Sequence, residues 1–206
     1  MVKVLELNEI NKSSLQGKFI VSSPFIKDER FYKSVVYITS HSPKGASGIV
    51  VNKPSNHPFF SIVKNIDKNI KEEDLVAHPS IVIGGPVSVN NVFILHSNDY
   101  LTNLTVKITK DVFMTNHPNI IMDIIANKGP TKQIVSIGCS NWVEGQLEKE
   151  LMGDSWIIAE YDFDIMFDCD PYNIWEKIYY SLNLPSNNAF FKPNDVKNWC
   201  EKLTLC

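Results

Sequence analysis

Between Gly138 and Leu151 the chain reads GCSNWVEGQLEKEL, which gathers the residue types most able to do chemistry. Cys139 offers a thiol, Ser140 a hydroxyl, Asn141 and Gln146 amides, and Trp142 an indole. The stretch follows an apolar strand and leads into a helix. Cys139 is therefore expected near a helix N-terminus, where backbone N–H groups favour a thiolate. GCSNW also half-matches the G-x-S-x-G nucleophile elbow, with Ser140 in the serine position. Trp142 replaces the last glycine, so the strained turn that such chemistry needs is unsupported. Glu144, Glu148 and Glu150 oppose an anionic nucleophile or ligand at the same helix.

Packing accounts for these residues too. Asn141 is placed to cap a helix over 142–152, and Glu144 completes a capping-box pair. Val143, Leu147 and Leu151 form a four-spaced apolar stripe, and Gly153 ends the helix. Gly145 inside such a helix costs about 1 kcal/mol relative to alanine. That predicts close backbone packing there, against Trp142 or Trp156.

The remaining candidates are sparser. His41 and His96 each end a strand and are candidates to face one cleft with Cys139. His57, His78 and His117 precede proline, a turn context rather than a ligand context. The Gly84-Gly85-Pro86-Val87 segment could cradle a phosphate with backbone amides, but it has no following lysine and opens no helix, so it reads as a turn. Asp28 and Arg30 form an acid–base pair without a catalytic neighbour. The four cysteines, Cys139, Cys169, Cys200 and Cys206, include no C-x-x-C pair, and no histidine stands at zinc-finger spacing. No metal and no cofactor is expected.

These residues must be positioned by an alternation of strands and helices. GKFIVSS, SVVYITSH and GASGIVVNKP read as strands rich in β-branched residues, the last closed by Asn52-Lys53-Pro54. Phe59, Ile62, Val63 and Ile66 fall at helical spacing. SIVIGGPVSVNNVFILHS reads as a strand, a turn and a second strand ending at His96, and LTVKIT continues the sheet. Pro118 suits the first turn of a helix whose stripe is Ile121, Ile124 and Ile125. A strand over 133–138, a helix over 142–152 and a strand over 155–160 make one right-handed βαβ unit. SWIIAEYDFDIMFD reads as one bent strand or two. Asp170 and Pro171 open a further helix with Ile174, Trp175, Ile178 and Leu182 inward. Val196, Trp199, Cys200 and Leu203 mark a last helix. Several strands follow each other too closely for crossovers, which argues for a mixed sheet with helices packed on it.

At 206 residues the chain makes one domain able to bury its own core. Its divisions are a polar segment over 1–14, the domain over 15–183, and an extension over 184–206 packed on it. Formal net charge is −3, from 20 basic and 23 acidic side chains. No basic run exceeds a pair, so the footprint of a DNA-binding protein is missing. The start lacks a signal peptide's apolar core, and no stretch of about 18 apolar residues exists to span a membrane. A cytoplasmic protein with reduced thiols is expected.

Four ordered blocks and a following tryptophan resemble one family: GKFIVSSPFIKDERFYKSVVYITSH, GASGIVVNKP, IGGPV leading to His96, and GCSNWVEGQLEKEL with Trp156 after it. They cover roughly 15–183 and are similar to the YqgE/AlgH proteins, bacterial and often labelled transcriptional regulators. The resemblance implies an α/β fold whose mixed sheet curls into a partial barrel with helices outside. Two positions differ from the family pattern: Cys139 and Asn141 replace an aromatic residue and a second glycine. The C-terminal FFKPNDVKNWCEKLTLC also differs. The expected function is regulatory or interactive rather than enzymatic, through protein partners. The alternative is a small-molecule-binding or thiol-dependent enzyme centred on Cys139. The candidate site is His41, His96, Cys139, Ser140, Asn141, Trp142 and Gln146.

Overall fold

The computed structural model describes residues 14–24 and 26–182. Long apolar runs such as Val35-Val36-Tyr37-Ile38 exist because the sheet is covered on both faces. Among the described residues nine strands form one sheet: β1 Lys18–Ser22, β2 Val35–Ser42, β3 Gly45–Val50, β4 Ile81–Ile83, β5 Val87–Ser97, β6 Val106–Lys107, β7 Val112–Thr115, β8 Gln133–Val143 and β9 Trp156–Glu160. Their spatial order is β6-β7-β5-β8-β3-β2-β1-β9, with β4 added on β8. The helices are α1 Phe59–Ile66, α2 Pro118–Ile125, α3 Gln146–Met152, α4 Phe163–Asp168 and α5 Pro171–Ser181. The β4–β8 pair is parallel and the other ladders are antiparallel. The sheet is therefore mixed and curled into a half-barrel with helices against it, an α/β fold as expected.

Alternate side chains of one strand serve different layers, as the pleat requires. Phe19, Val21, Val35 and Tyr37 pack with Met166 of α4 and Ile174, Trp175 and Ile178 of α5. Ile20, Val36 and Ile38 point the other way, into a second cluster with Trp142, Leu147, Leu151 and Trp156. A third cluster joins Phe59, Ile62 and Val63 of α1 to Ile120, Ile121 and Ile124 of α2 across Ile81, Ile94 and Val135.

Three readings are corrected. First, β8 runs on to Val143, so α3 starts at Gln146 and Asn141 is an exposed strand residue that caps nothing. Pairing of Gly45, Ala46, Ser47 and Gly48 with Val143, Trp142, Asn141 and Ser140 holds that stretch extended. The cap is Gly145 at φ +68, with nothing within 4 Å of an added Cβ. Gly145 thus serves a left-handed turn and not a close contact, and Val143 is exposed rather than part of the buried stripe. Second, β8 and β9 run parallel but with β3, β2 and β1 between them, so α3 spans a wide crossover instead of a local βαβ unit. The strands on either side of the glycine turn, β4 and β5, are both present and do not pair with each other. Both bond to Val135, Ser136 and Ile137, so they lie on opposite edges of β8, and Gly84-Gly85-Pro86 carries the chain across it. A Cβ on Gly84 would meet Ser136 Oγ at 2.0 Å and one on Gly85 would meet Cys139 backbone at 2.4 Å. Third, only the first half of SWIIAEYDFDIMFD is a strand. The Asp162 side chain accepts from the Ile165 N–H and starts α4, overriding the apolar alternation.

The helix read from Val196, Trp199, Cys200 and Leu203 lies outside the described residues. No helix among those described is long and apolar enough to cross a membrane.

Candidate functional site

Ser140, Asn141, Trp142 and Gln146 line one cavity of about 320 Å³, together with Arg30, Phe31, Pro86, Glu150 and Trp156. Glu150 organises it. Its Oε2 accepts from both indole N–H groups, Trp142 at 2.9 Å and Trp156 at 2.7 Å. Its Oε1 accepts from Gln146 Nε2 at 2.9 Å, while Gln146 Oε1 accepts from the Val143 N–H at 3.1 Å. Trp142, Trp156 and Phe31 meet edge to face. At the rim Arg30 forks onto Asp28, whose carboxyl is held below the usual range chiefly by that side-chain hydrogen bond. The carboxylate of Glu150 is thus spent on three donors and fixes the corner that α3 makes with β8.

Ser140 is 1% exposed and donates to the Gly84 carbonyl at 3.1 Å. Its hydroxyl ties β8 to the glycine turn and is closed to a substrate. The glycine turn is similarly committed: the Gly84 N–H donates to the Ile137 carbonyl, and its own carbonyl also accepts from the Val50 N–H. Gly84 therefore has no free amide to offer a phosphate.

His41, His96 and Cys139 line none of the cavities described below or above. His41 Nδ1 accepts from the Leu15 N–H at 3.0 Å, which leaves Nε2–H to donate to Glu148 Oε1 at 3.0 Å. It clips the chain before β1 to α3. His96 is fully buried between Tyr100 and Phe113. Its Nδ1–H donates to the Ser97 carbonyl at 2.8 Å and Nε2 accepts from Thr115 Oγ1 at 3.0 Å. Burial pushes its pKa down, so the ring is neutral. Cys139 packs partly against the α4–α5 core, and burial pushes its thiol up. Because β8 continues past it, the expected helix N-terminus is remote.

A further cavity, about 670 Å³, escaped sequence reasoning. It lies between α1, α2 and the first half of β5, floored by Ile62, Val92, Ile94 and Ile121 and rimmed by His57, Asn65, Asn90, Asn91 and His117. No Asp, Glu, Lys or Arg lines it. β5 bulges here: Val87 pairs with Cys139 and the next pair is Val92 with Ile137. The bulge presses on Gly138, at φ +73, where a Cβ would lie 2.8 Å from the carbonyls of Gly85 and Val87. β7 pairs with β5 only from Ile94 onward, so the edge before it is open among the described residues. An Asn-Asn pair inside a strand-like run was the available signal. For Glu150 the signal was its position four residues after Gln146, on one helix face. Among the described residues no cluster of His, Cys, Asp and Glu could hold a metal.

A family model described as AlgH-like matches residues 19–187. A UPF0301 protein of Brucella abortus (strain 2308) is 33% identical over 183 residues, covering 86% of this chain and 91% of that protein. A UPF0301 protein of Wigglesworthia glossinidia brevipalpis is 37% identical over 167 residues, covering 79% and 88%. The solution structure of the AlgH protein from Pseudomonas aeruginosa superposes with a TM-score of 0.72 at 24% identity, covering 90% of this chain and 94% of that one. A crystal structure from Corynebacterium diphtheriae gives 0.67 at 18% identity, covering 87% and 93%.

Proposed function

The chain belongs to the AlgH-like family, and on that premise we propose that it is a non-enzymatic regulatory protein that binds an extended, uncharged segment of a protein partner. The observation that carries the reading is the 670 Å³ groove, lined by no Asp, Glu, Lys or Arg, with an open strand edge at its wall. A peptide added to an open edge gains main-chain hydrogen bonds, and pockets for alternate side chains supply selectivity. Val89, 56% exposed, and Ile66, 36% exposed, offer apolar contact. A charged segment would lose its hydration there without a partner charge in return.

The thiol-dependent alternative finds no support in the position of Cys139, which burial makes a poorer nucleophile. The net charge of −3 favours reading the family's regulator label through protein contacts rather than DNA.

The test is selection of extended peptides from a random library, followed by hydrogen exchange. Selected binders should be poor in charge, should protect amides 88–93, and should weaken about tenfold or more on Val89→Asp, a loss of about 1.4 kcal/mol or more. Binders indifferent to that substitution, leaving those amides unprotected, would remove the groove from the reading. Turnover of a hydrolase or redox substrate, abolished by a single cavity substitution, would overturn the non-enzymatic part.

A further inference from the structure

On another side of the molecule the chain brings two lysines into one small cleft. Lys33, Asn52, Lys53, Pro54, Tyr172 and Trp175 line a cavity of about 240 Å³. Asn52 is 5% exposed and braces both chain segments: its Nδ2 donates to the Lys33 carbonyl at 2.8 Å and its Oδ1 accepts from the Val35 N–H at 2.7 Å. The brace holds Lys33 at φ +50, a left-handed conformation that a non-glycine residue adopts only when its surroundings compel it. Lys33 Nζ then lies 2.7 Å from Glu176 Oε1 and 5.3 Å from the centre of the Trp175 ring. Lys53 Nζ donates to the Tyr32 carbonyl at 2.5 Å. Among the described residues no carboxylate forms an ion pair with Lys53.

The half-buried cleft thus holds two ammonium groups, of which Lys33 is paired with Glu176 and Lys53 has only a carbonyl partner. Burial and the neighbouring Lys33 charge both pull the Lys53 pKa down. A surplus cation of this kind costs stability unless an anion joins it. Tyr172, 72% exposed at the start of α5, adds an uncovered ring at the mouth.

We infer that this cleft is a binding site for a small aromatic oxyanion, its phosphoryl or carboxylate group held between Lys53 and Lys33 and its ring laid against Tyr172. Lys53 supplies the unpaired charge. Lys33, already oriented by Glu176 and Trp175, supplies further ammonium protons. The site is separate from the groove between α1 and α2, so either can fail without the other.

Binding of phenyl phosphate, benzoate and inorganic phosphate to the full chain is measured by NMR titration at low ionic strength. Phenyl phosphate or benzoate should saturate, shifting amides of 32–35, 52–54 and 172–175. The better of the two identifies the head group. Lys53→Met should weaken the aromatic anion about tenfold, the range of one charge-assisted hydrogen bond, and Lys53→Arg should retain most of the affinity. Tyr172→Ala should weaken the aromatic anions and leave inorganic phosphate unchanged. Binding should also raise the Lys53 pKa, read from its side-chain carbon shift, a signal that a purely structural lysine would not give. Absence of saturation by about 10 mM of every probe, a limit of roughly −2.7 kcal/mol in affinity, overturns the site. Equal affinity in a folded Lys53→Met variant does the same.

Discussion

Glu150 shows how one side chain can decide whether a polar corner is reactive or fixed. With two indole donors on Oε2 and an amide on Oε1, its removal strands groups inside a corner where Trp142 and Trp156 are 5% and 4% exposed. Glu150→Ala should cost about 1–3 kcal/mol in a denaturant melt, the desolvation penalty of a buried donor left unpaired. Glu150→Gln keeps one acceptor oxygen and should lose less. Equal stability of all three proteins would mean that the indole N–H groups are satisfied without the carboxylate. Gly145 is a second single-residue test, and the structure changes its reason. Open space surrounds it, and its φ of +68 is the constraint. Gly145→Ala and Gly145→Leu should therefore lose a similar amount, about 1–2 kcal/mol for a side chain forced into the left-handed region. Gly145→Asn should lose least. A leucine much worse than alanine would restore a packing explanation. Cys139 completes the residue scale: alkylation followed against pH by peptide mass should give an apparent pKa above that of a free thiol, about 8.5, because burial raises it.

At the scale of elements, helices with explicit caps were legible in the sequence. Pro118 and Asp170-Pro171 open α2 and α5 as their types require, and the stripe of Ile174, Trp175, Ile178 and Leu182 is buried throughout. The α3 boundary was not legible, because Asn141 and Glu144 satisfy a capping pattern that strand pairing with β3 overrides. The same long-range pairing separated the candidate site. Ser140, Asn141, Trp142 and Gln146 share a cavity, whereas His41 and His96 are each consumed in joining elements. His96 joins β5 to β7 through Thr115, itself 3.0 Å from Thr105 Oγ1. Its lowered pKa gives this junction a pH dependence. The unfolded chain takes up the proton near pH 6.5 while the folded chain resists it. Stability from His96 is therefore complete above about pH 6.5 and declines as pH falls toward the folded value, by at most about 1.4 kcal/mol per pH unit. Melts between pH 7.5 and 5 should show this loss in the parent protein and lack it in His96→Gln, which is less stable at pH 7.5. Parallel pH profiles for the two would show that protonation of His96 is not resisted by the fold.

At the scale of the whole molecule, the curl of the sheet is set where its two ends meet. In the strand order, β6 and β7 stand at one end and β1 and β9 at the other. The turn after β6 closes the distance. Gln16 Nε2 donates to the Ile108 carbonyl at 3.0 Å, and the Tyr161 hydroxyl donates to Asp111 Oδ2 at 2.9 Å. Gly17 lies under the same turn at φ +78, where a Cβ would stand 2.4 Å from Thr109 Cγ2. These partners are about ninety residues apart in sequence for Gln16 and Ile108, which is why no local pattern announced the seam; the implied partial barrel came from family resemblance alone. Gly17→Ala should therefore be more destabilising than an ordinary surface substitution, combining left-handed strain of about 1–2 kcal/mol with a steric push on the seam. Adding Thr109→Ser removes the methyl group that the new Cβ meets. The double variant should recover the steric part and retain the strain, a non-additivity of about 0.5 kcal/mol or more in the melt. Strictly additive effects would mean that the seam gives way without resistance at this point. Curl would then be fixed by the core beneath α4 and α5, with the contacts at Ile108 and Asp111 following from it.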